Sequence, residues 1–399
     1  MKSKVAVLKT SPGTVVDDYA ALMRLAGSGE ALPRDRNTNL IIDAHCGTWY
    51  PACSTEPWQL EGVVKALIDD GYSPGSLTLL VGRADGYGRA GEVNNGYAAV
   101  AGRYSLGFTR LSEPPARWTR FQPQADTPAL DRICGQNGII IPEELLNANT
   151  VYLPVMRSDL LTVTAGAMVS AHGFMLEQAS KPAASAIHEV LVDLLAVRKE
   201  IGGGLFAVMD GSICGDGPGR RQLRSYEKGY ILAGADPVAV DAVAARMMGF
   251  DPMEIKYISM AHERGLGCGV FEEIEIAGED VSGVNFHFGG GKGLAISGAG
   301  RQPGPLQASL SGLFAGRTAD QGVASRLYSD LIWYPFVGRR HVDDMAETKW
   351  GQLLQTYLPP EAALDHQGQD PGRLILYAAA VLAAVSALAR ILRLARREN

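Results

Sequence analysis

The sequence predicts an α/β protein built on a doubly wound, mainly parallel sheet. Two observations predict this class. Short apolar runs alternate along the chain with amphipathic stretches of helical period, and the apolar runs are nearly continuous. Continuous apolar strands are typical of parallel sheets that helices cover on both faces. Hydrophobic residues make up 46% and charged residues 20% of the 399 residues, which suffices for a packed core and excludes a disordered chain.

Five apolar runs are predicted to be strands and five amphipathic stretches are predicted to be helices. In chain order the strands cover residues 5–9, 40–44, 77–81, 150–155 and 205–209. The helices cover residues 15–26, 57–70, 187–200, 237–248 and 252–264. Three of these helices begin near a proline, where the missing N–H costs nothing, with a candidate N-cap beside it: Thr55 and Pro57, Asp236 and Pro237, Asp251 and Pro252.

The composition then changes along the chain and predicts five segments. An α/β domain at 1–288 is followed by a Gly/Pro-rich linker at 289–305, a small aromatic helical appendage at 306–358, a polar hinge at 359–372, and a C-terminal apolar helix with a basic tail at 373–397. The aromatic side chains of 306–358 are a candidate surface for a protein partner.

The C-terminal apolar stretch, residues 374–392, is interrupted only by Arg390. At about 1.5 Å per residue a helix of this length approaches the hydrocarbon thickness of about 30 Å, provided that Arg390 reaches the headgroups. We interpret it as a single membrane anchor, with a buried or interfacial helix as the alternative. The arginine-rich tail favours the cytoplasm and no export signal is visible. We therefore expect a membrane-associated protein with a cytoplasmic body.

Charge and cysteine content exclude some functions. The net charge is −6, which argues against nucleic acid as a partner. The five cysteines include no CxxC pair, which argues against a disulfide-rich secreted fold and against an iron–sulfur cluster. Cys46 and Cys53 lie in one predicted loop, as two reduced thiols or as half of a metal site.

Polar residues follow several predicted strands, and the carboxyl ends of parallel strands meet at one edge of a sheet. Asp210 comes directly after an apolar strand and could act as a base or bind a hard cation. Asp241 lies in an apolar stretch of helix, so it should be functional or paired, for example with Arg246. His172, between an alanine and a glycine, is the preferred general base. We expect Asp210, Asp241 and His172 to be the catalytic residues.

Binding residues are expected at the same edge. Arg157 could hold a carboxylate or phosphate, unless it pairs with Asp159 or Glu177. Gly215 and Gly217 could present backbone N–H groups to an anion, with a tight turn as the alternative. His45 completes the predicted substrate site. A divalent metal ion is a candidate cofactor, and its candidate ligands are Asp210, His188 and Cys46. For each histidine a structural role is the alternative.

Several motifs occur together in the second half of the α/β region. Residues 205–267 contain VMDGSICGDGPG, YILAGADPVAVDAVAARMMGFDP and ERGLG, and residues 162–174 read TVTAGAMVSAHGF. These motifs resemble the bacterial and archaeal domain-of-unknown-function 362 family, over roughly residues 4–285. The resemblance implies an α/β fold and assigns no activity. Relatives often carry a lysine after the second strand and a Lys-Asn pair after the TAGA-like segment, where this chain has Asp43 and Val169-Ser170.

These observations lead us to expect a membrane-associated enzyme. It would act on a small or amphiphilic anionic substrate by acid–base or metal-assisted chemistry. The alternatives are a non-catalytic anchored scaffold or redox-partner module, and a lipid-handling protein.

Overall fold

The computed structural model describes residues 2–82, 88–135, 138–175, 186–219, 222–289 and 329–359. A sheet of ten strands forms the centre, and β5 and β6 form a separate two-stranded sheet. The strands are β1 (Lys4–Lys9), β2 (Thr38–Ile42), β3 (Leu77–Val81), β4 (Gly107–Arg110), β5 (Trp118–Phe121), β6 (Ile139–Pro142), β7 (Asn149–Leu153), β8 (Val155–Asp159), β9 (Val163–Ala165), β10 (Leu205–Asp216), β11 (Arg224–Gly234) and β12 (Glu275–Gly278).

The main sheet is mostly parallel, as the sequence predicts. Its order is β12-β1-β11-β10-β7-β2-β3-β4, and β11 runs antiparallel to both of its neighbours. The predicted strand at 150–155 is in fact two strands, because β8 begins after Pro154 and pairs with the far half of β10. The short strand β9 then pairs antiparallel with β8. Six strands escaped prediction: β4, β5, β6, β9, β11 and β12.

The helices are α1 (Val15–Leu25), α2 (Ser28–Ala31), α3 (Pro57–Asp69), α4 (Gly88–Asn94), α5 (Tyr97–Tyr104), α6 (Pro128–Cys134), α7 (Ala167–Met175), α8 (Ile187–Ile201), α9 (Pro237–Met248), α10 (Lys256–Glu263), α11 (Arg339–Ala346) and α12 (Lys349–Gln355). A π-helical stretch, Ser329–Gly338, precedes α11. The predicted helix at 252–264 is divided into a 3-10 turn, Pro252–Glu254, and α10.

Helices cover both faces of the main sheet and bury a separate apolar core on each. Along β10, Phe206 and Val208 point to a core shared with α1, α3, α5, α11 and α12, which we call the α3 face. Ala207 and Met209 point to the core shared with α6, α7, α8, α9 and α10, which we call the α9 face. Full burial of a large apolar side chain such as Phe206, Val208 or Met209 contributes about 1.5–3 kcal/mol. The sheet therefore separates the two halves of the core.

Two of the three predicted caps are confirmed. Asp236 accepts hydrogen bonds from the backbone N–H groups at the start of α9, and Asp251 accepts one from Met253. The prediction for Thr55 is wrong, because α3 is capped by Glu56. The Thr55 hydroxyl instead donates to the carbonyl of Leu153 at 2.6 Å.

The C-terminal helices pack on the α3 face. The Trp350 ring centroid lies 5.2 Å from that of Trp58, and the Tyr357 hydroxyl donates to Glu61 at 2.6 Å. These two aromatic side chains, part of the predicted partner surface, are therefore buried within the chain.

Other predicted segments fall outside the described residues. These are the linker beyond Gly289, residues 306–328, the hinge beyond 359 and the apolar helix at 373–397. Within the described ranges, no helix has both the length and the apolar character needed to cross a membrane.

The contact between α1 and α3 gives a direct test of this packing. A Cβ added at Gly62 would lie 2.5 Å from Cδ2 of Tyr19, whereas one added at Gly102 in α5 would meet nothing within 4 Å. We expect Gly62→Ala to lower the free energy of unfolding by about 1–3 kcal/mol through overpacking. Gly102→Ala should raise it by about 0.5–1 kcal/mol, because alanine favours a helix. Urea denaturation measures both, and equal effects would contradict the described packing.

Candidate functional site

A closed loop, residues 43–56, connects β2 to α3 at the carboxyl edge of the sheet. Its two ends are joined by two hydrogen bonds. The N–H of Asp43 donates to the Thr55 hydroxyl at 2.8 Å, and the N–H of Thr55 donates to the carbonyl of Asp43 at 2.7 Å. Since the Thr55 hydroxyl also donates to Leu153 in β7, the closed loop is tied to the sheet.

Buried side chains hold the interior of the closed loop. The Trp49 indole donates to the Glu56 carboxylate at 2.8 Å, and the Tyr50 hydroxyl donates to the carbonyl of Leu223 at 2.7 Å. From outside the loop, the Asn95 amide donates to the carbonyl of Cys46 at 2.9 Å. A loop whose backbone groups are satisfied in this way places its side chains in a defined geometry.

Three charged or ionisable side chains meet at the start of this loop: the carboxylate of Asp43, the imidazole of His45 and, from β8, the guanidinium of Arg157. We call them the Arg157 group. Nε2 of His45 lies 2.6 Å from Oδ1 of Asp43, and a guanidinium nitrogen of Arg157 lies 3.5 Å from Oδ2. Burial acts to raise the pKa of Asp43, but His45 and Arg157 outweigh it and lower this pKa to about 2. Asp43 is therefore a carboxylate at any physiological pH.

Arg157 is 3% exposed and lies in β8 beneath the closed loop. The long contact with Asp43 is its one hydrogen bond within the described part of the chain, and its Nε–H has no partner there. The predicted alternative, a salt bridge to Asp159, is not formed, and Glu177 lies outside the described residues. A buried guanidinium with unused donors is costly unless an acceptor is supplied.

Two thiols complete the group. The sulfur atoms of Cys46 and Cys53 lie 2.9 Å apart, and both side chains are buried. Burial acts to raise the pKa of Cys53, but the Cys46 thiol and the positive charges of His45 and Arg157 lower it to about 7. A substantial fraction of Cys53 is therefore thiolate at neutral pH.

The two predicted glycines differ in their position. A Cβ on Gly215 would lie 3.2 Å from Cβ of Ala52 and 3.3 Å from Cβ of Arg157, so Gly215 lets β10 pass close to the closed loop. The N–H of Gly217 instead donates to the Ser158 hydroxyl at 2.7 Å. Its N–H is therefore used within the fold, and the anion site predicted for Gly217 stays a prediction.

Asp210 lies on the α3 face, where four donors satisfy its carboxylate. Tyr19 donates at 2.6 Å, Trp58 at 3.0 Å, and the N–H and hydroxyl of Ser212 at 2.9 and 2.7 Å. Burial raises the pKa of Asp210. These contacts join β10 to α1 and α3, so in this structure Asp210 holds the fold together.

Asp241 lies on the opposite face of the sheet. Its carboxylate accepts hydrogen bonds from the N–H of Ala167 at 2.7 Å and of Met168 at 3.1 Å, so it caps α7 and does not pair with Arg246. Tyr257 donates a third hydrogen bond at 3.3 Å. The expectation that Asp210 and Asp241 share one pocket is wrong, because the sheet and its two cores lie between them.

The other two histidines of the predicted site, His172 and His188, lie on the α9 face. His172 lies in α7, where burial lowers its pKa and Nε2 is buried without a partner among the described residues. His188 in α8 stacks on the Tyr257 ring at 6.1 Å, and burial and Lys256 lower its pKa. Neither residue takes part in the Arg157 group within the described contacts.

The structure thus assembles part of the predicted site. His45, Cys46, Arg157 and Gly215 come together. Cys53 joins them, as its loop with Cys46 indicated although it was not among the predicted site residues, and Asp43 joins them unpredicted. The candidate metal ligands Asp210, His188 and Cys46 lie in three different environments. In the portion of the chain with described coordinates, no cluster of three or more His, Cys, Asp or Glu side chains could hold a metal ion. The missed residues had a signal, since Asp43 directly follows a strand and Cys53 shares a loop with Cys46.

The capping role of Asp241 leads to a pH-dependent stability. Burial raises the pKa of this carboxyl from its usual 3.8 to about 7, although the two backbone N–H groups act in the opposite direction. The contribution of Asp241 to stability is therefore complete below about pH 4 and is lost as the pH rises towards 7. The advantage of wild type over Asp241→Asn should decrease over this range, by roughly 4 kcal/mol at most.

Urea denaturation of both proteins at the two ends of that pH range measures the effect. An advantage that grows with pH would show instead that the N-terminus of α7 stabilises the charged carboxylate more than burial disfavours it.

Comparisons with known proteins agree with the motifs. No curated protein matches the sequence. The model of one family, described as a domain of unknown function (DUF362), matches residues 41–246, which include the closed loop, Arg157, the glycine turn and α9 up to Arg246. This match covers just over half of the chain and confirms the predicted resemblance, so the protein belongs to the DUF362 family.

Proposed function

We propose that this protein is an enzyme that binds a small anionic substrate against Arg157 and transfers a proton through His45. One observation carries the proposal. A buried guanidinium with an unpartnered Nε–H lies beside a carboxylate–imidazole pair at the carboxyl edge of a parallel sheet. That edge is where open α/β sheets bind ligands.

Arg157 is the anion-binding group in this proposal. Its contact with Asp43, at 3.5 Å, is at the outer limit of a hydrogen bond, and its buried Nε–H has no partner among the described residues. A carboxylate or phosphate oxygen would satisfy this donor and offset the burial of the charge. Gly215 contributes by leaving room beside Arg157, where any larger residue would press on Ala52.

His45 is the proton-transfer group, and Asp43 is its positioning residue. A carboxylate that contacts one ring nitrogen fixes the orientation of an imidazole and stabilises its charged form. Asp43 remains ionised for this role because its pKa is about 2. The His45 side chain is 19% exposed, so it lies between the buried groups and the surface.

Acid–base chemistry is favoured over metal-assisted chemistry. The groups needed for proton transfer and anion binding are assembled, whereas the three predicted metal ligands are dispersed. His172, Asp241 and Asp210 keep a catalytic role only as the sequence-based hypothesis, since the contacts of the two aspartates serve the fold and His172 lies on the α9 face, away from Arg157. We further propose, from the sequence alone, that residues 374–392 attach a cytoplasmic body to a membrane.

The anion site can be tested without knowing the substrate. Inorganic phosphate, sulfate and citrate should each be titrated against the purified protein while thermal unfolding is followed. At a concentration about 100 times its Kd, a bound anion should stabilise the wild type by about 2.7 kcal/mol. Arg157→Gln should abolish this response, because the fork that accepts the anion is gone.

Arg24→Gln is the matched control. It removes the same charge from an exposed pair with Asp70, and it should leave the anion response unchanged. A wild type that responds to none of the anions, or an Arg157→Gln protein that responds as the wild type does, would contradict the proposal.

The membrane proposal has a simple test. Deletion of residues 374–399 should move the protein from the membrane fraction to the soluble fraction, because the apolar stretch is then absent. The control is the full chain with Arg24→Gln. A full-length protein found entirely in the soluble fraction would argue against the anchor.

A further inference from the structure

We infer that Cys46 and Cys53 form a redox pair, which a small peroxide converts to a disulfide and a thiol reductant restores. The pair lies beside the proposed anion site, but anion binding and proton transfer do not require it. The inference therefore stands independently of the proposed function.

The geometry of the closed loop favours this bond. The two sulfur atoms are 2.9 Å apart, so they need to approach by roughly 0.9 Å to reach a disulfide length of about 2.05 Å. The backbone is held near both cysteines, by Asn95 at the carbonyl of Cys46 and by Tyr50 at the N–H of Cys53. Side-chain movement therefore suffices, and the entropy of bringing the two residues together is already lost when the loop closes.

Cys53 is the attacking thiol. Its sulfur lies 2.9 Å from that of Cys46. Burial acts to raise its pKa, but this contact and then the cations of His45 and Arg157 lower it to about 7, so about half of it is thiolate at that pH. Burial instead raises the pKa of Cys214, Cys134 and Cys268, which makes them poor nucleophiles. Cys46 is then the resolving thiol.

The burial of both thiols limits the size of the oxidant that can react with them. Cys53 is completely buried and Cys46 is 3% exposed, so the disulfide of another protein cannot approach in line with either sulfur, and only small reagents are expected to react. A peroxide of a few atoms is a small oxidant that accepts two electrons. The positive charges beside the thiolate would also stabilise the oxygen that leaves.

The reaction balances in two steps. The Cys53 thiolate attacks one peroxide oxygen, a sulfur–oxygen bond forms, the oxygen–oxygen bond breaks, and the leaving hydroxide takes a proton to become water. The Cys46 sulfur then attacks the Cys53 sulfenic acid, a sulfur–sulfur bond forms, and the hydroxyl leaves with the Cys46 proton as a second water. In total, two thiols and one hydrogen peroxide give one disulfide and two waters.

Peptide mass spectrometry of the full chain tests the inference. After brief treatment with hydrogen peroxide, the peptide that carries both cysteines should lose two hydrogens and resist alkylation. Dithiothreitol should reverse both changes. Absence of this product, oxidation straight to sulfinic acid, or a bond to another cysteine would overturn the inference. The measurement uses the wild type, so it decides the question whether or not a variant folds.

Single variants then assign the roles. With Cys46→Ser, the Cys53 sulfenic acid should accumulate and be trapped by dimedone. With Cys53→Ser, oxidation at Cys46 should slow by roughly tenfold or more, since the thiolate that attacks the peroxide is gone. Cys134→Ser is the control and should leave the rate unchanged. If Cys53→Ser reacts at the wild-type rate, Cys53 is not the nucleophile.

Discussion

The site depends on a single junction, where the Thr55 hydroxyl links the two ends of the closed loop to the sheet. This hydroxyl accepts from the N–H of Asp43 and donates to the carbonyl of Leu153, so it satisfies two backbone groups from different strands. Without it, the backbone hydrogen bond from Thr55 to Asp43 would still join the two ends, but the junction would lose its link to Leu153 in β7. The positions of Asp43, His45 and Cys53 relative to Arg157 therefore depend on this hydroxyl for their attachment to the sheet. The electrostatics of the group follow from these short distances, because charge interactions in a buried site are only weakly screened.

Beneath the loop, the buried carboxylates serve as structural hydrogen-bond acceptors. Glu56 holds the Trp49 indole, and Asp210 holds α1 and α3 through Tyr19 and Trp58. Burial, and the proximity of Asp210, raise the pKa of Glu56. A substitution of Tyr19 or Trp58 would therefore affect the site only through packing, because neither side chain contacts a reacting group. The acidic residues with the most apolar surroundings, Asp210 and Glu56, hold the fold together and are not the ones beside Arg157.

The sequence predicts the fold better than the site. Continuous apolar runs predict the bounds of β1 and β3 almost to the residue, and the apolar helical stretch predicts those of α9. The aspartate and proline before that stretch predict where α9 begins. The strand β11 escapes because its first half, which pairs with the far half of β10, is polar and partly exposed. At the site, an apolar context indicates that Asp210 and Asp241 are buried and paired. It cannot distinguish a catalytic partner from the backbone N–H groups of α7, because backbone donors leave no trace in the sequence. Likewise, only the folded loop reveals that Cys53 returns to Cys46.

The replacement at position 43 gives this chain a particular electrostatic character. The family resemblance leads us to expect a lysine there, and a lysine at this position would place a second cation near the Arg157 guanidinium in a buried site. Such a site would depend on a bound anion to compensate both charges. Asp43 instead supplies part of that compensation from the chain itself, and it also holds His45. The positive charge left for a ligand is then smaller, because Asp43, the Cys53 thiolate and Asp159 all offset Arg157. The inferred oxidation of Cys53 would remove one of these negative charges and would therefore strengthen the proposed binding of an anion at Arg157.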